Sequence, residues 1–315
     1  MENAVKNASL KFFGEEPSEI KYLGGGFYGR AFRIKLSKNV EYAVVKLYLY
    51  PNLCTKEALQ LETISRHSYL KVPKIYTVFE AKDIDSGYDV LLMEYIEGVN
   101  ASDVDPLLLS NKEREEICES IVDNLISLHS VRSERGFGDL DSLKLYPTWQ
   151  EYYYPIAESI VNKARVLFKA GQLSESIIDV FESSLECFDD IFSYPITKAG
   201  LVHGDYNTWN IMLTKDKKHA LAVIDPFNCR YADTEIDLYQ LDNANGKGYG
   251  LLDKYKEKIK LSENFEIKRS FYELYSEVCH YHDAHVVADT AAIDRLARRL
   301  REMMDNLSCH NSGAV

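Results

Sequence analysis

The stretch Leu23-Gly24-Gly25-Gly26-Phe27-Tyr28-Gly29 holds the pattern G-x-G-x-x-G at Gly24, Gly26 and Gly29. The residues after Gly29 decide the fold. In a dinucleotide-binding βαβ unit a helix opens directly after the glycines. Here the chain alternates instead, with Phe32, Ile34 and Leu36 on one face of a strand and Ala31, Arg33 and Lys35 between them. A polar turn, Ser37-Lys38-Asn39, leads into a second strand, Tyr42-Ala43-Val44-Val45-Lys46-Leu47-Tyr48. The glycines therefore lie over a β-hairpin. A flexible loop in that place lets backbone N–H groups approach phosphate oxygens without side-chain obstruction.

Lys46 points the same way. A lysine among Val44, Val45 and Leu47 is costly unless its ammonium meets an anion or reaches water. An edge-strand lysine pointing at solvent is the bland alternative, but the glycine loop ahead of it makes phosphate the expected anion. A helix is expected over Thr55–His67, with Leu61 and Ile64 facing inward. Glu57 or Glu62 could then pair with Lys46, and Glu57 is favoured because it stands one turn before the packing residues. Tyr88 to Gly98 reads as a buried strand that breaks at a glycine. Such a segment could join two lobes and offer backbone groups around Glu94 to Ile96 to an adenine edge.

Downstream, Leu201-Val202-His203-Gly204-Asp205-Tyr206-Asn207-Thr208-Trp209-Asn210 and Val223-Ile224-Asp225-Pro226 each run from apolar residues to an acid. Asp205 can orient an attacking hydroxyl and accept its proton. Asn210 and Asp225 offer hard oxygen ligands, which Mg²⁺ prefers, while nucleotide phosphates supply the rest of its octahedron. The spacing H-x-D-x-x-x-x-N with a later Asp is the catalytic half of the phosphoryl-transfer template. An acidic turn between two buried strands is the competing explanation when that run is taken alone.

Taken in order, these elements resemble the aminoglycoside phosphotransferase superfamily, the small-molecule branch of the protein-kinase-like fold. The likeness rests on Gly24 to Gly29, Lys46, Leu92 to Gly98, His203-Gly204-Asp205 with Asn210, and Ile224-Asp225-Pro226, spread over residues 20 to 240. It implies an α+β, bilobal architecture: a nucleotide-binding lobe over 1–95, built on an antiparallel sheet with one helix, and a larger, mostly helical catalytic and substrate-binding lobe over 96–315. It further implies transfer of the γ-phosphate of ATP, with Mg²⁺, to a hydroxyl of a small molecule. Asp205 would be the base, Asn210 and Asp225 the metal ligands, and Lys46 the phosphate clamp. His203 would brace the catalytic loop through hydrogen bonds. Tyr231 to Leu238 and Phe265 to Tyr275 are similar to the tail of the fructosamine kinases. Amino sugars, fructosamine-type compounds and aminoglycosides are therefore the expected acceptors.

Composition agrees. The 315 residues leave room for two cores. A net charge of −12 argues against nucleic acid, whose phosphates would be repelled, and suits a cationic acceptor. The six cysteines are scattered without C-x-x-C pairs, which fits reduced thiols in a cytoplasm. No apolar run is long enough to span a bilayer, and Met1 to Lys6 does not read as a signal peptide. Helices are expected at Glu115–His129 and twice within Thr148–Phe192, a catalytic hairpin between Leu201 and Ile224, and a frayed end over Asn311–Val315.

Other features carry less. His280, His282, His285 and Asp283 lack a second cluster to complete a metal site. Trp149 and Tyr152 to Tyr154 are expected to pack a helix rather than stack on a sugar. A protein kinase would need a long activation segment, whereas the chain returns to helix at Ile236–Leu241. A catalytically retired kinase-fold nucleotide-binding protein would have lost its base or metal ligands, and Asp205, Asn210 and Asp225 are all present.

Overall fold

The computed structural model describes residues 1–38 and 40–311, with side chains described through Leu307. Asn39 of the polar turn and the tail 312–315, expected to fray, lie outside the described residues. Two compact units form. One contains residues 1–128, 203–229 and 243–251, and the other residues 129–202, 230–242 and 252–315.

The first unit is built on an antiparallel sheet of five strands. These are β1 (Glu19–Gly25), β2 (Gly29–Lys35), β3 (Tyr42–Tyr48), β4 (Ile75–Phe79) and β5 (Asp89–Glu94), in the order β1-β2-β3-β5-β4. The period-2 alternation of β3 sorts its side chains between two faces. Ala43, Val45 and Leu47 pack with Ala4, Val5 and Ala8 of helix α1 (Glu2–Phe13). Tyr48 packs with Cys54, Ala58 and Leu61 of helix α2 (Leu53–Ser65). Lys46 shares the parity of Tyr48 and so belongs to the α2 face. Helix α1 adds to the single helix expected in this region. Its short apolar stripe is set in an otherwise polar segment, which hid it from a periodicity reading.

Strand β5 is buried on both faces, with Val90 and Leu92 toward α1 and Leu91 toward α2. A short strand β6 (Val99–Asn100) follows, and then α3 (Asn111–His129), which buries Ile117, Ile121, Leu125 and Leu128 completely.

The second unit begins with β7 (Arg132–Ser133) and β8 (Gly138–Asp139). Next come α4 (Trp149–Lys169), α5 (Glu175–Glu186), α6 (Phe188–Ile191) and β9 (Ala199–Val202). Thr148 caps α4 by accepting from the N–H of Glu151 at 3.2 Å. Trp149, Tyr152 and Tyr153 are buried in an aromatic core with Phe192, Phe271 and Tyr272, and Tyr154 reaches the surface.

Strands β10 (Ile211–Leu213) and β11 (Ala220–Val223) pair in the first unit, with β6 as the third strand. Strand β9 instead joins β7 and β12 (Arg230–Ala232), and β12 pairs with β8. The hairpin expected from Leu201 to Ile224 is thus confined to β10 and β11. The chain leaves β9 at His203 and turns at Gly204 (φ 81°), so β9 does not belong to it.

Helices α7 (Gly246–Tyr249), α8 (Leu251–Lys258), α9 (Phe265–Asp283) and α10 (Thr290–Asn311) complete the chain. Residues Thr234–Asp242 form a 3₁₀ helix where helix was expected. It is tied to α9 by the buried ammonium of Lys268, 2.7 Å from Asp233 and 2.8 Å from Glu235. Helix α9 ends at Asp283, which pairs with Lys163 at 2.5 Å and His282 at 2.8 Å, and His285 lies beyond the helix end. Among the described residues no helix is long and apolar enough to cross a membrane.

Candidate active site

Every residue singled out for nucleotide, metal or proton chemistry falls in the first unit. The glycine loop is the turn between β1 and β2. Gly24 has φ 149°, and Arg30 donates from its guanidinium to the carbonyls of Gly26 and, at 2.8 Å, of Gly29. Arg30 thus ties the two ends of the loop together, a function that no local pattern announced. The rings of Tyr28 and Phe227 stack at 5.0 Å and 16°, joining the loop tip to the segment after Asp225.

Because Lys46 points to the α2 face, it meets that helix. Its ammonium lies 2.7 Å from Glu57 and 2.5 Å from Asp225. Glu62 is exposed on the far side of α2. Tyr48, two residues along the same face, donates from its hydroxyl to Glu57 at 2.7 Å. Burial works to lower the Lys46 pKa, but the carboxylates of Asp225 and Glu57 more than offset it and hold the ammonium charged. Glu57 moves the other way. Its burial outweighs the pull of Lys46, and its pKa is raised above the ordinary 4.5.

The loop that carries Asp205 is fixed from within and from below. Asp205 accepts hydrogen bonds on both carboxylate oxygens, from the amide of Asn207 at 2.6 Å and that of Asn210 at 2.7 Å. Asn210 also donates to the Asp205 carbonyl at 2.9 Å. Spending the amide nitrogen in this way turns the amide oxygen of Asn210 away from Asp205, as a ligand for a hard cation requires. Below the loop, the buried Tyr206 donates to the Ile121 carbonyl at 2.8 Å and accepts from Asn124 at 3.1 Å. Asn124 in turn accepts from the N–H groups of Tyr69 and Leu70 at 2.7 and 3.0 Å.

Asp225 stands at the far end of the β10–β11 hairpin, where the Ile224 N–H donates to the Asn210 carbonyl at 2.9 Å. Asn210 and Asp225 thus flank one pair of strand ends. The Asp225 carboxylate is 52% exposed, and its backbone is left-handed (φ 54°). Gly204, at φ 81°, lies so close to Phe227 that a Cβ there would sit 1.8 Å from the Phe227 carbonyl oxygen. An amide oxygen, a half-exposed carboxylate and a cationic Lys46 form a donor set that fits magnesium and the phosphates of a nucleotide.

At the end of β5 the Glu94 side chain is taken up by the 71–74 segment. It pairs with Lys71 at 2.6 Å and accepts from the Lys74 N–H at 3.3 Å. The Glu94 N–H donates to the Lys74 carbonyl at 2.8 Å, and Ile96 is buried just past the strand. Sequence reasoning missed Arg30, Tyr48, Asn124 and Phe227. Asn207 stood inside the motif but had no partner to suggest its role.

A sequence model of the phosphotransferase enzyme family matches residues 19–248. No curated protein sequence matches the chain. Among solved structures, a fructosamine-3-kinase-like protein from Haemophilus somnus 129PT superposes with TM-score 0.69 at 17% identity, covering 94% of this chain and 96% of that one. A thermostable mutant of aminoglycoside phosphotransferase APH(4)-Ia gives 0.66 at 16% identity over 93% and 98% of the two chains. ADP-bound aminoglycoside phosphotransferase APH(2'')-Ib gives 0.64 at 18% identity over 94% and 98%. The chain shares the α+β, protein-kinase-like fold of these proteins.

Proposed function

From the premise that the chain belongs to the phosphotransferase enzyme family, we propose that it carries the γ-phosphate of ATP, with Mg²⁺, to a hydroxyl of a small molecule. The reaction class follows from the family: the chain is a small-molecule kinase. The observation that carries the finer reading is one connected set of contacts. Glu57 holds Lys46, Lys46 reaches Asp225, and the hairpin ends join Asp225 to Asn210 and so to Asp205.

In this reading Asp205, fixed by two amide donors, orients the acceptor hydroxyl and takes its proton. Asn210 and Asp225 hold magnesium, which when bound neutralises charge on the phosphate oxygens. Lys46 turns from Asp225 to the phosphates, with Glu57 keeping it in place. The loop Gly24 to Gly29 covers the phosphates with its backbone, and the backbone of Glu94 to Ile96 meets the adenine edge. Phosphoryl transfer has a loose transition state, so positioning and charge neutralisation supply most of the acceleration.

Amino sugars and fructosamine-type amines lead the acceptors, and aminoglycosides come after them. Aminoglycoside phosphotransferases solved with streptomycin, hygromycin B or gentamicin share the fold, and the net charge of −12 favours a cationic acceptor. The test is ADP release, coupled to a dehydrogenase, with glucosamine, fructosyl-lysine, gentamicin and choline as acceptors. Release should be stimulated by at least one amine-bearing sugar and stopped by EDTA. A magnesium-dependent thermal shift with ATP, but no stimulated release on any acceptor, would instead make this a nucleotide-binding protein without turnover.

The raised pKa of Glu57 gives a pH signature. Clamping phosphate needs the charged Glu57–Lys46 pair, and a carboxyl with a raised pKa takes its proton early as pH falls. Activity should therefore begin to fall above pH 4.5, the ordinary value for a glutamate. In Glu57→Gln that acid limb should disappear, and KM for ATP should be about tenfold higher than in the parent wherever Glu57 is charged, the cost of one charge-assisted bond, with the two proteins converging at acid pH. A pH profile of kcat/KM identical to that of the unmodified protein would remove Glu57 from the clamp.

A further inference from the structure

Trp209 is out of character with the loop that carries it. Tyr206, Asn207, Thr208 and Asn210 are all buried, yet the largest side chain of the segment is 54% exposed. It is not exposed through looseness. Its backbone N–H donates to the Asn207 side chain at 3.0 Å, and its carbonyl accepts from the Asn100 amide at 2.8 Å. The residue after it, Asn210, is tied to Asp205. A backbone pinned on both sides presents the indole from a fixed base. That base is one residue from a proposed metal ligand and four from the proposed proton acceptor.

Exposed aromatic rings on rigid supports bind what stacks on them. The indole face attracts cations through its quadrupole and covers apolar C–H faces. We propose that Trp209 is a specificity-determining residue, a platform on which the acceptor lays a sugar ring bearing protonated amines beside Asp205. This rests on the kinase reading above and narrows its acceptor to ring compounds that combine a C–H face with positive charge. The negative net charge of the chain acts in the same direction.

The test uses the whole protein with glucosamine, fructosyl-lysine and gentamicin as probes. Trp209→Ala should raise the acceptor KM about tenfold, while KM for ATP moves less than about twofold. Trp209→Phe, which keeps an aromatic face, should recover most of the acceptor KM. A second readout needs no turnover. The chain has two tryptophans, and Trp149 is fully buried in the other unit. Acceptor titration should therefore change the emission of the unmodified protein, and Trp209→Phe should abolish the change. A rise in KM for ATP in place of the acceptor KM would overturn the proposal, assigning the ring to the nucleotide. So would an emission spectrum unmoved by all three probes. An emission response without ADP release would support the platform while the kinase reading itself failed.

Discussion

Replacing Asp205 with asparagine is expected to lower kcat by about 10³-fold, within the range that a positioned general base contributes. The loss is partly chemical and partly geometric. The substituted side chain cannot take a proton from the acceptor hydroxyl. It also meets two amide donors, Asn207 and Asn210, which in the parent both point at carboxylate oxygens. One of these contacts becomes N–H against N–H, so the loop loses alignment as well as basicity. The fold should survive, because the loop is anchored from below by Tyr206 on the Ile121 carbonyl. Melting within about 2 °C of the parent would show this, a shift of about 1 kcal/mol. A folded Asp205→Asn protein that turns over at near-parent rate would end the assignment of the base.

Asp225→Ala should be comparably severe, about 10³-fold in kcat, because it removes both a hard oxygen ligand and one of the two partners of Lys46. Magnesium should then no longer strengthen the thermal shift produced by ATP. The backbone needs a control, since residue 225 is left-handed, a conformation that Asp and Asn tolerate better than Ala. Asp225→Asn keeps that tolerance and changes only the charge. It should retain the melting temperature and still lose most of the magnesium response. Normal activity in purified Asp225→Ala would contradict the metal assignment.

Much of this site was legible because its chemistry is written locally. Alternation after Gly29 excluded a helix start, and the strand expected at Tyr42–Tyr48 has those bounds in the structure. The parity of β3 then put Lys46 on the face where Glu57 waits. What could not be read depends on distance along the chain. Tyr206 bonded to α3 and Tyr28 stacked on Phe227 are tertiary contacts with no periodic signature. The separation of β9 from β10 and β11 was hidden for a related reason. An apolar tetrapeptide such as Ala199–Val202 looks the same whichever sheet receives it. Helix α1 escaped because only Ala4, Val5 and Ala8 of its residues are buried apolar groups, too few to stand out.

The contact between Gly204 and Phe227 has a consequence for how the motif can vary. Two peptide segments, one leading into Asp205 and the other leaving Asp225, touch main chain to main chain at a spot with no room for even a methyl group. The middle letter of His203-Gly204-Asp205 is therefore a spacer, dictated by sterics and handedness whatever reaction is run. Enlarging it would pry the Asp205 and Asp225 segments apart while leaving both carboxylates in the protein.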